Sequence, residues 1–258
     1  MLERIFDTHA HMDDPCYADR LDEVIQNQKE SGVAGIITSG SELPSSLRSL
    51  ALADKYDFVY ATVGVYPNET ANLPEDYIDQ LRKMALGNKK VVGIGEIGMD
   101  YGFENHPDPA IQELRFREQL KLAEELNLPV AIHDRDADED TLRIIKDYKV
   151  RGEIHRIFSP VEYANAFMEY GLYVAVGPQI TYPDSDCLVE MVKTMPLDKL
   201  LLETDAPFLP PAHLAGEKAL PDMISFVAEK IAEIRGDVTA QEVLDIAYEN
   251  AKKLYRLG

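Results

Sequence analysis

The sequence of 258 residues is poor in cysteine, and it has no long apolar run. Its two cysteines, Cys16 and Cys187, are too few for a disulfide framework and form no C-x-x-C motif, which indicates free thiols in a reducing compartment. No stretch approaches the roughly 18 apolar residues of a membrane span, and the N-terminus lacks a basic segment followed by an apolar one. We therefore expect a cytoplasmic protein that has no membrane association and no obligate protein partner.

Basic residues are also scarce, because 26 Lys and Arg stand against 46 Asp and Glu and give a net charge of −20. That excess of acidic residues argues against nucleic-acid binding through an extended basic surface, since such binding neutralises phosphates with basic side chains. It does not exclude a nucleic-acid substrate, because bound divalent metals reverse the sign of the charge locally in a pocket. Neither a Walker A sequence nor a G-x-G-x-x-G motif after the first predicted strand is present.

Short apolar segments alternate with amphipathic ones along the whole chain. The predicted strands are rich in β-branched residues, as expected for strands covered by helices on both faces. They are Arg4–His9, Val33–Ser39, Phe58–Val65, Val91–Gly98, Pro129–His133, Gly152–Phe158, Tyr173–Gly177 and Leu200–Thr204. The predicted helices are Tyr17–Ser31, Pro109–Leu126, Asp138–Tyr148, Val161–Tyr170, Cys187–Met195, Leu220–Arg235 and Ala240–Tyr255.

About eight strands that alternate with helices are typical of a parallel barrel, and about 250 residues is the usual length of one. The predicted fold class is α/β, a (β/α)8 TIM-type barrel with extra C-terminal helices. No linker or repeat interrupts the chain, so we expect a single domain over residues 1–258. An open doubly wound sheet is the alternative on periodicity alone. Thr239, followed three residues later by Glu242, predicts a capping box at the start of the last helix.

Only six histidines are present, and four of them stand at or just past the carboxyl end of a predicted strand. In a barrel these ends converge on one mouth, which is where active sites lie. His9 and His11, at i and i+2 on one strand, share a face. The barrel would thus gather ligands for two divalent ions, whose identity stays open among Zn²⁺, Mn²⁺, Mg²⁺ and Ni²⁺. The predicted ligands are His9, His11, Glu96, His133, His155 and Asp205.

Strict alternation along the strands places Asp7 and Glu203 inside the barrel, one step below the ligands, and Thr8 and Ala10 outside it. A buried carboxylate is costly without a partner, and a ligand histidine that needs orienting would supply one.

Two further residues are expected at the mouth. Arg135, two residues after His133, would either steady an anionic substrate or form a rim salt bridge with Asp134 or Asp136. Tyr66, at the end of the third strand, would either pack at the rim or contact substrate.

Five segments of the chain recur together in one known family. They are FDTHAH, GEIGMDY, IHDRDADEDTL, the G-x-x-H-x-x-F-S run that contains His155, and LLLETDAPFL. In order and spacing, over nearly the whole chain, they resemble the signature blocks of the TatD family of metal-dependent deoxyribonucleases, within the amidohydrolase-type barrels. The resemblance implies a (β/α)8-type barrel. It also implies one metal on His9, His11 and Asp205 and another on His133 and His155, with Glu96 bridging the two.

The sequence departs from the family pattern at three places. Tyr66 stands where the family commonly has histidine. The run from His155 to Pro160, HRIFSP, replaces the usual His-Cys-Phe-Ser-Gly, so that Arg156 follows the histidine. The Gly216–Pro221 loop, GEKALP, replaces a segment that usually resembles Gly-Lys-Arg-Asn-Glu-Pro. The metal ligands are retained but the substrate loops are not, which leaves the substrate open.

The function predicted from the residues and the resemblance is hydrolysis of phosphodiester bonds in DNA by a metal-bound hydroxide. Asp205 would act as general base and Glu96 would serve the same catalytic centre, while Arg135 and Tyr66 would contact the substrate. The alternative keeps the metals but takes a small ester, lactone or cyclic amide, which the acidic composition and the changed Gly216–Pro221 loop favour. A third hypothesis is a barrel retained as a binding scaffold, and failure to bind any divalent metal would support it.

Overall fold

The computed structural model describes residues 2–258, whose framework is one sheet of eight parallel strands in the order β1 to β8. The strands are β1 (Ile5–Ala10), β2 (Val33–Ser39), β3 (Val59–Val63), β4 (Val91–Asp100), β5 (Val130–Arg135), β6 (Gly152–Ile154), β7 (Tyr173–Val176) and β8 (Leu200–Leu202). The backbone N–H of Asp205 donates to the His9 carbonyl at 2.9 Å, which brings the chain after β8 against β1. This order confirms the TIM-type barrel and excludes the doubly wound sheet, whose strand order reverses at a switch point.

Nine α-helices lie within the described residues 2–258. They are α1 (Leu21–Glu30), α2 (Leu43–Lys55), α3 (Tyr77–Gly87), α4 (Pro109–Leu126), α5 (Asp138–Ile145), α6 (Val161–Tyr170), α7 (Asp186–Thr194), α8 (Ile224–Arg235) and α9 (Ala240–Tyr255). The extra C-terminal helices are therefore confirmed, as is the capping box of Thr239 and Glu242 at the start of α9. No helix of this part of the chain combines the length and the apolar character that crossing a membrane requires.

The sequence pattern did not predict α2 and α3, and the buried faces of these helices explain the failure. α2 buries Ser45, Ser46 and Ser49 against the barrel, so its inner face is polar by composition. α3 buries only Tyr77 and Leu81. Few apolar side chains therefore mark the inner faces of these two helices, and apolar periodicity is the primary sequence signal for a helix.

The lower half of the barrel is closed by an apolar cluster, which we call the floor. Strand residues from both sides of the barrel meet there with the end of α9. The floor consists of Phe6, Ile37, Val92, Tyr173, Ala175, Leu201, Ala251, Leu254 and Tyr255. Because α9 seals this end, the opposite end, at the carboxyl ends of the strands, is the open mouth.

The strict alternation expected of β1 is interrupted. Asp7 pairs with Ile36 and Ala10 pairs with Thr38, so β1 has one residue more than β2 between these pairs. Such a bulge changes the direction of side chains along the strand, and Phe6 packs in the floor. Asp7 accepts hydrogen bonds from the backbone N–H groups of His9 and Thr204. The prediction that Asp7 orients an imidazole was wrong, because Asp7 instead ties β1 to the chain after β8.

Candidate metal centre

The six predicted ligands come together at the mouth of the barrel. His9 lies in β1, Glu96 in β4 and His133 in β5, while three ligands follow a strand end: His11 after β1, His155 after β6 and Asp205 after β8. Predicted strand six was too long, because β6 ends at Ile154 and His155 starts the loop that follows it. Five strand ends thus supply one cluster, as the topology of a parallel barrel requires.

Glu96 lies at the centre of the cluster, where its two carboxylate oxygens face different pairs of histidines. Oε2 lies 3.5 Å from Nε2 of both His9 and His11. Oε1 lies 3.0 Å from Nδ1 of His133 and 2.9 Å from Nε2 of His155. Burial would raise the pKa of Glu96, but His155 and His133 hold it well below its usual range. Glu96 is therefore an ionised carboxylate between four imidazoles.

Two of these imidazoles are held in the neutral form. The rings of His9 and His155 stack with their centroids 3.8 Å apart. Burial and the neighbouring His155 lower the pKa of His9 to about 4, and burial also lowers the pKa of His155. Neutral imidazole is the form that binds a metal.

His11 joins the cluster to Asp205 and Arg156. Nε2 of His11 lies 3.3 Å from Oδ1 of Asp205, and the Arg156 guanidinium donates to Oδ2 of the same carboxylate at 2.9 Å. Burial opposes charge on His11, but Asp205 and Glu96 raise its pKa to about 9. His11 and Arg156 outweigh burial at Asp205 and hold its pKa far below the usual value. Arg156, which the sequence analysis noted only as a departure from the family pattern, is thus part of the site.

A second carboxylate, that of Asp100, contacts the His133 ring on the side away from Glu96. Its Nε2 lies 3.1 Å from Oδ2 of Asp100, and this leaves Nδ1 facing Glu96 and His155. Burial opposes charge on His133, yet Asp100 and Glu96 raise its pKa to about 9. The sequence analysis missed Asp100, although its i+4 spacing from Glu96 on β4 would place both on one strand face.

Tyr66 completes this arrangement and was expected either at the rim or against substrate. Its hydroxyl donates to Oδ2 of Asp100 and lies 3.5 Å from Nε2 of His133. Nδ2 of Asn68 donates to the same Asp100 oxygen at 3.2 Å. The Tyr66 hydroxyl is therefore bound to Asp100 beside His133, although the Tyr66 side chain also lines the mouth cavity.

Arg135 is exposed at the mouth, and its guanidinium carbon lies 4.8 Å from the centre of the Phe103 ring. The rim salt bridges expected as an alternative, to Asp134 or Asp136, are not among the ion pairs of residues 2–258. A guanidinium that stacks on an aromatic face keeps its N–H groups free at its edge for an anion.

The donor set fits a divalent cation. Three groups of ligand atoms each lie within 4.8 Å of one another: His9, His11 and Glu96; Glu96, His133 and His155; and His9, His155 and Glu203. Nε2 of His9 is buried without a hydrogen-bond partner, as are both carboxylate oxygens of Glu203, one of them 3.4 Å from Nδ1 of His155. Buried polar atoms without partners are costly, and imidazoles with carboxylates suit borderline divalent metals.

Known proteins share both the sequence and the fold. The family model described as TatD related DNase matches residues 6–256. The metal-dependent hydrolase YabD of Bacillus subtilis is 37% identical over 257 residues, which are 98% of this chain and 100% of that protein. The 3'-5' ssDNA/RNA exonuclease TatD of Cronobacter sakazakii is 34% identical over 224 residues, 84% of each chain. The crystal structure of YjjV, a TatD homolog from Escherichia coli K12, matches with a TM-score of 0.93 at 30% identity and covers 100% of both chains. This chain therefore belongs to the TatD related DNase family of metal-dependent hydrolases.

Proposed function

We propose that residues 1–258 form one hydrolase barrel that cleaves phosphodiester bonds in nucleic acid, DNA above all, with the help of two divalent metal ions. The observation that carries the proposal is the Glu96 carboxylate, which lies within 3.5 Å of four imidazoles. A cluster of this composition serves a metal better than it serves stability, because its buried charges and unpartnered atoms are costly without one. The relative of 34% identity that is named an exonuclease of single-stranded DNA and RNA supports the choice of nucleic acid.

The ligands divide into two sets around Glu96. His9, His11 and Asp205 would hold one ion, His133 and His155 would hold the other, and Glu96 would reach both. The division follows the geometry, because Oε2 of Glu96 faces the first pair of histidines and Oε1 the second. When bound, such ions lower the pKa of coordinated water from about 16 toward about 7 and polarise a phosphoryl oxygen.

Asp205 is suited to accept the proton of the attacking water. Its contacts with His11 and Arg156 keep it a carboxylate, so it can accept a hydrogen bond from water and take up a proton as general base. Hydrolysis joins the water oxygen to phosphorus and breaks one P–O ester bond. The leaving sugar oxygen needs a proton, which Asp205 can return to it.

Two arginines would bind the phosphate. Arg135 and Arg156 both line the mouth beside His133 and His155. A guanidinium presents a planar set of N–H donors that matches two phosphate oxygens, and charge-assisted hydrogen bonds of this kind are the strong ones. In a chain of net charge −20, these side chains supply the positive charge that a phosphodiester requires beside the cluster.

The test uses metal-stripped protein, supplied with Mn²⁺, Mg²⁺, Zn²⁺ or Ni²⁺, and three substrates: single-stranded DNA, bis-p-nitrophenyl phosphate and p-nitrophenyl acetate. We expect metal-dependent cleavage of both phosphodiesters, with kcat strongly reduced in Asp205→Asn. The variant keeps the size of the side chain, so its metal content, measured in parallel, separates a lost ligand from a lost base.

Other outcomes would select the other hypotheses. Ester turnover with intact DNA and intact phosphodiester reporter would replace the nuclease by a hydrolase of small esters, lactones or cyclic amides. Calorimetry that detects no divalent metal binding would favour the scaffold hypothesis.

A further inference from the structure

A cavity lies at the closed end of the barrel, outside the floor. It is lined by Lys89 before β4, by Arg151 before β6, and by Tyr255 and Arg256 at the end of α9, so it lies opposite the mouth. We call it the lower cavity. Its volume is about 390 Å³, and ligand pockets typically span about 300–1,000 Å³. The lower cavity is therefore large enough for one small organic molecule.

The lower cavity is positively charged, although the chain has a net charge of −20. Three cationic side chains line it, those of Lys89, Arg151 and Arg256, and no aspartate or glutamate of residues 2–258 does so. Gly258 lies there too, and a carboxylate on this residue would offset one of the three positive charges. The remaining excess of positive charge favours an anion.

Arg151 and Arg256 have no carboxylate partner. Elsewhere on the surface arginines form ion pairs, as Arg82 does with Glu125 at 2.7 Å. None of the ion pairs between residues 2 and 258 includes Arg151 or Arg256. In a chain with 46 Asp and Glu, two neighbouring arginines without a carboxylate indicate a site for an anion that the chain itself does not supply.

Neutral oxygens hold the Arg151 guanidinium in place. It donates to Oδ1 and to the backbone carbonyl of Asn127 at 2.7 and 2.8 Å, and to the carbonyl of Leu254 at 3.4 Å. These acceptors orient the planar group without neutralising it. Burial and the charge of Arg256 both lower the pKa of Arg151. An anion between the two guanidinium groups would offset their repulsion, and charge-assisted hydrogen bonds to it are the strong ones.

A phosphate monoester has the charge and the shape for this cavity. At pH 7 its phosphate carries a charge of about −1.5 to −2 and offers three acceptor oxygens, which guanidinium groups match in pairs. Val91, Leu126 and Pro129 give the cavity apolar walls, against which the organic part of the molecule can pack.

A polynucleotide fits the lower cavity less well, because it would need basic groups beyond the cavity to follow its backbone. The adjacent Lys90 is already engaged. Its Nζ donates to the backbone carbonyl of Val59 at 3.2 Å and lies 4.8 Å from the centre of the Tyr60 ring. Because Tyr60 lines the cavity, this contact also reduces the ring surface on which a base could stack. The lower cavity therefore favours a small molecule.

We infer that the lower cavity binds a small organic phosphate monoester, whose phosphate lies between the guanidinium groups of Arg151 and Arg256. Lys89, which is exposed, adds a third cation at the edge. The site is separate from the metal centre, since the apolar floor lies between them. A ligand here would join the end of α9 to the segment before β6, and a ligand that binds only the folded protein stabilises it.

The first test is isothermal titration calorimetry of the metal-loaded protein with ribose 5-phosphate and with inorganic phosphate. Ribose 5-phosphate should bind severalfold more tightly, because only this probe covers the apolar walls, and added salt should weaken the binding of both. Arg256→Gln should weaken the binding of ribose 5-phosphate about tenfold, as expected for loss of one charge-assisted hydrogen bond. Arg256 is exposed, so this variant should fold normally.

Further measurements locate the site. Arg151→Gln should weaken the binding of ribose 5-phosphate at least as much as Arg256→Gln, because the Arg151 guanidinium is already held in position. The matched control is Arg20→Gln, which removes one positive charge at an exposed arginine before α1 and should leave the affinity unchanged. In hydrogen exchange, ribose 5-phosphate should slow the exchange of the backbone amides of residues 254–257.

Each of several results would overturn the inference. The first is no binding of either probe at millimolar concentration, and the second is unchanged affinity in both Arg151→Gln and Arg256→Gln. Loss of binding in Arg135→Gln alone would place the phosphate at the mouth instead. Equal affinity for the two probes would leave a site for inorganic anions only. Tighter, Arg256-dependent binding of single-stranded DNA would make the lower cavity part of a nucleic-acid surface. None of these measurements requires phosphodiester hydrolysis, so the proposed function is tested separately.

Discussion

The mouth and the floor of the barrel both bury carboxylates, but they hold them in opposite states. At the mouth, Glu96 and Asp205 are buried, and their pKa values lie well below the ordinary range. Toward the floor, Glu153 is also buried, and burial raises its pKa well above that range. Burial alone therefore does not decide the charge of these groups.

The groups that contact each carboxylate decide whether it is ionised. Glu96 and Asp205 lie beside the cationic side chains of His11, His133 and Arg156, whose positive charge and hydrogen bonds outweigh the cost of desolvation. Glu153 accepts a hydrogen bond from the neutral hydroxyl of Tyr255 at 2.7 Å and has Glu203 as a neighbouring acid. The two ends of the barrel therefore treat buried carboxylates differently: Glu96 and Asp205 stay ionised beside cationic side chains at the mouth, and Glu153 stays protonated toward the floor.

The largest effect should follow from changing Glu96 to Gln. The amide retains the size of the side chain but removes the charge that faces four imidazoles. Because loss of a supporting residue already lowers metal affinity about 10–100-fold, loss of this proposed ligand should lower it by more than about 100-fold and abolish hydrolysis. Isothermal titration calorimetry with Mn²⁺ and Zn²⁺ measures the affinity.

Glu153→Gln is the matched control, because it makes the same substitution in a carboxylate on the floor side. We expect its metal affinity to stay within about twofold of the wild-type value, because its hydrogen-bond partner, Tyr255, is not one of the predicted ligands. Equal losses of affinity in the two variants would contradict the separation of mouth and floor.

The next effect should come from Asp100, which contacts the proposed ligand His133. Asp100→Asn weakens the hold on Nε2 of His133 and should lower metal affinity about 10–100-fold. Tyr66→Phe, which removes only the hydroxyl behind Asp100, should have a smaller effect in the same direction. Calorimetry of both variants tests the order, and a larger loss in Tyr66→Phe than in Asp100→Asn would mean that Tyr66 acts at the site by itself.

Much of the mouth could be predicted from the sequence because its residues stand at strand ends. Strand position and topology together bring His9, Glu96 and His133 near one another, and neither depends on side-chain detail. The Tyr66 and Asp100 pair could not be found in this way, since a hydrogen bond between two strands depends on register and rotamer. Arg156 showed only as a departure from the family pattern, and its contact with Asp205 arises from the loop after β6.

The fold, like the site, had features that the sequence pattern predicted and others that it did not. Apolar β-branched runs identified all eight strands, whereas α2 escaped detection because it buries serines. The bulge in β1 was missed because the order of apolar and polar residues does not show how a strand pairs with its neighbour, and a bulge is a property of that pairing. It is nevertheless the bulge that lets Phe6 join the floor while His9 reaches the mouth.

A smaller effect is expected in the pH dependence of stability. The pKa of Glu153 is raised in the folded state, so its contribution to stability is complete below the unfolded pKa, and is lost as pH rises toward the folded pKa. Glu153→Gln removes this loss. Between pH 5 and pH 8 the free energy of unfolding of the variant should therefore rise relative to that of the wild type.

Urea unfolding at the two pH values measures the change. If the free energy of unfolding of the wild type instead rose relative to that of the variant as pH increased, Glu153 would be ionised in the folded state. The contrast between mouth and floor would then be wrong at this residue.

The smallest effect should follow from Thr239→Ala at the start of α9. The Thr239 hydroxyl accepts from the backbone N–H of Glu242 at 3.2 Å, and loss of such a cap costs about 1 kcal/mol of stability. Thr239→Ser, which keeps the hydroxyl, should lose less than half as much in urea unfolding. Because α9 brings Leu254 and Tyr255 to the floor, the loss should appear in unfolding while metal affinity stays at the wild-type value. If metal affinity fell together with stability, the floor would control the geometry of the mouth, and the two regions would have to be treated as one cooperative unit.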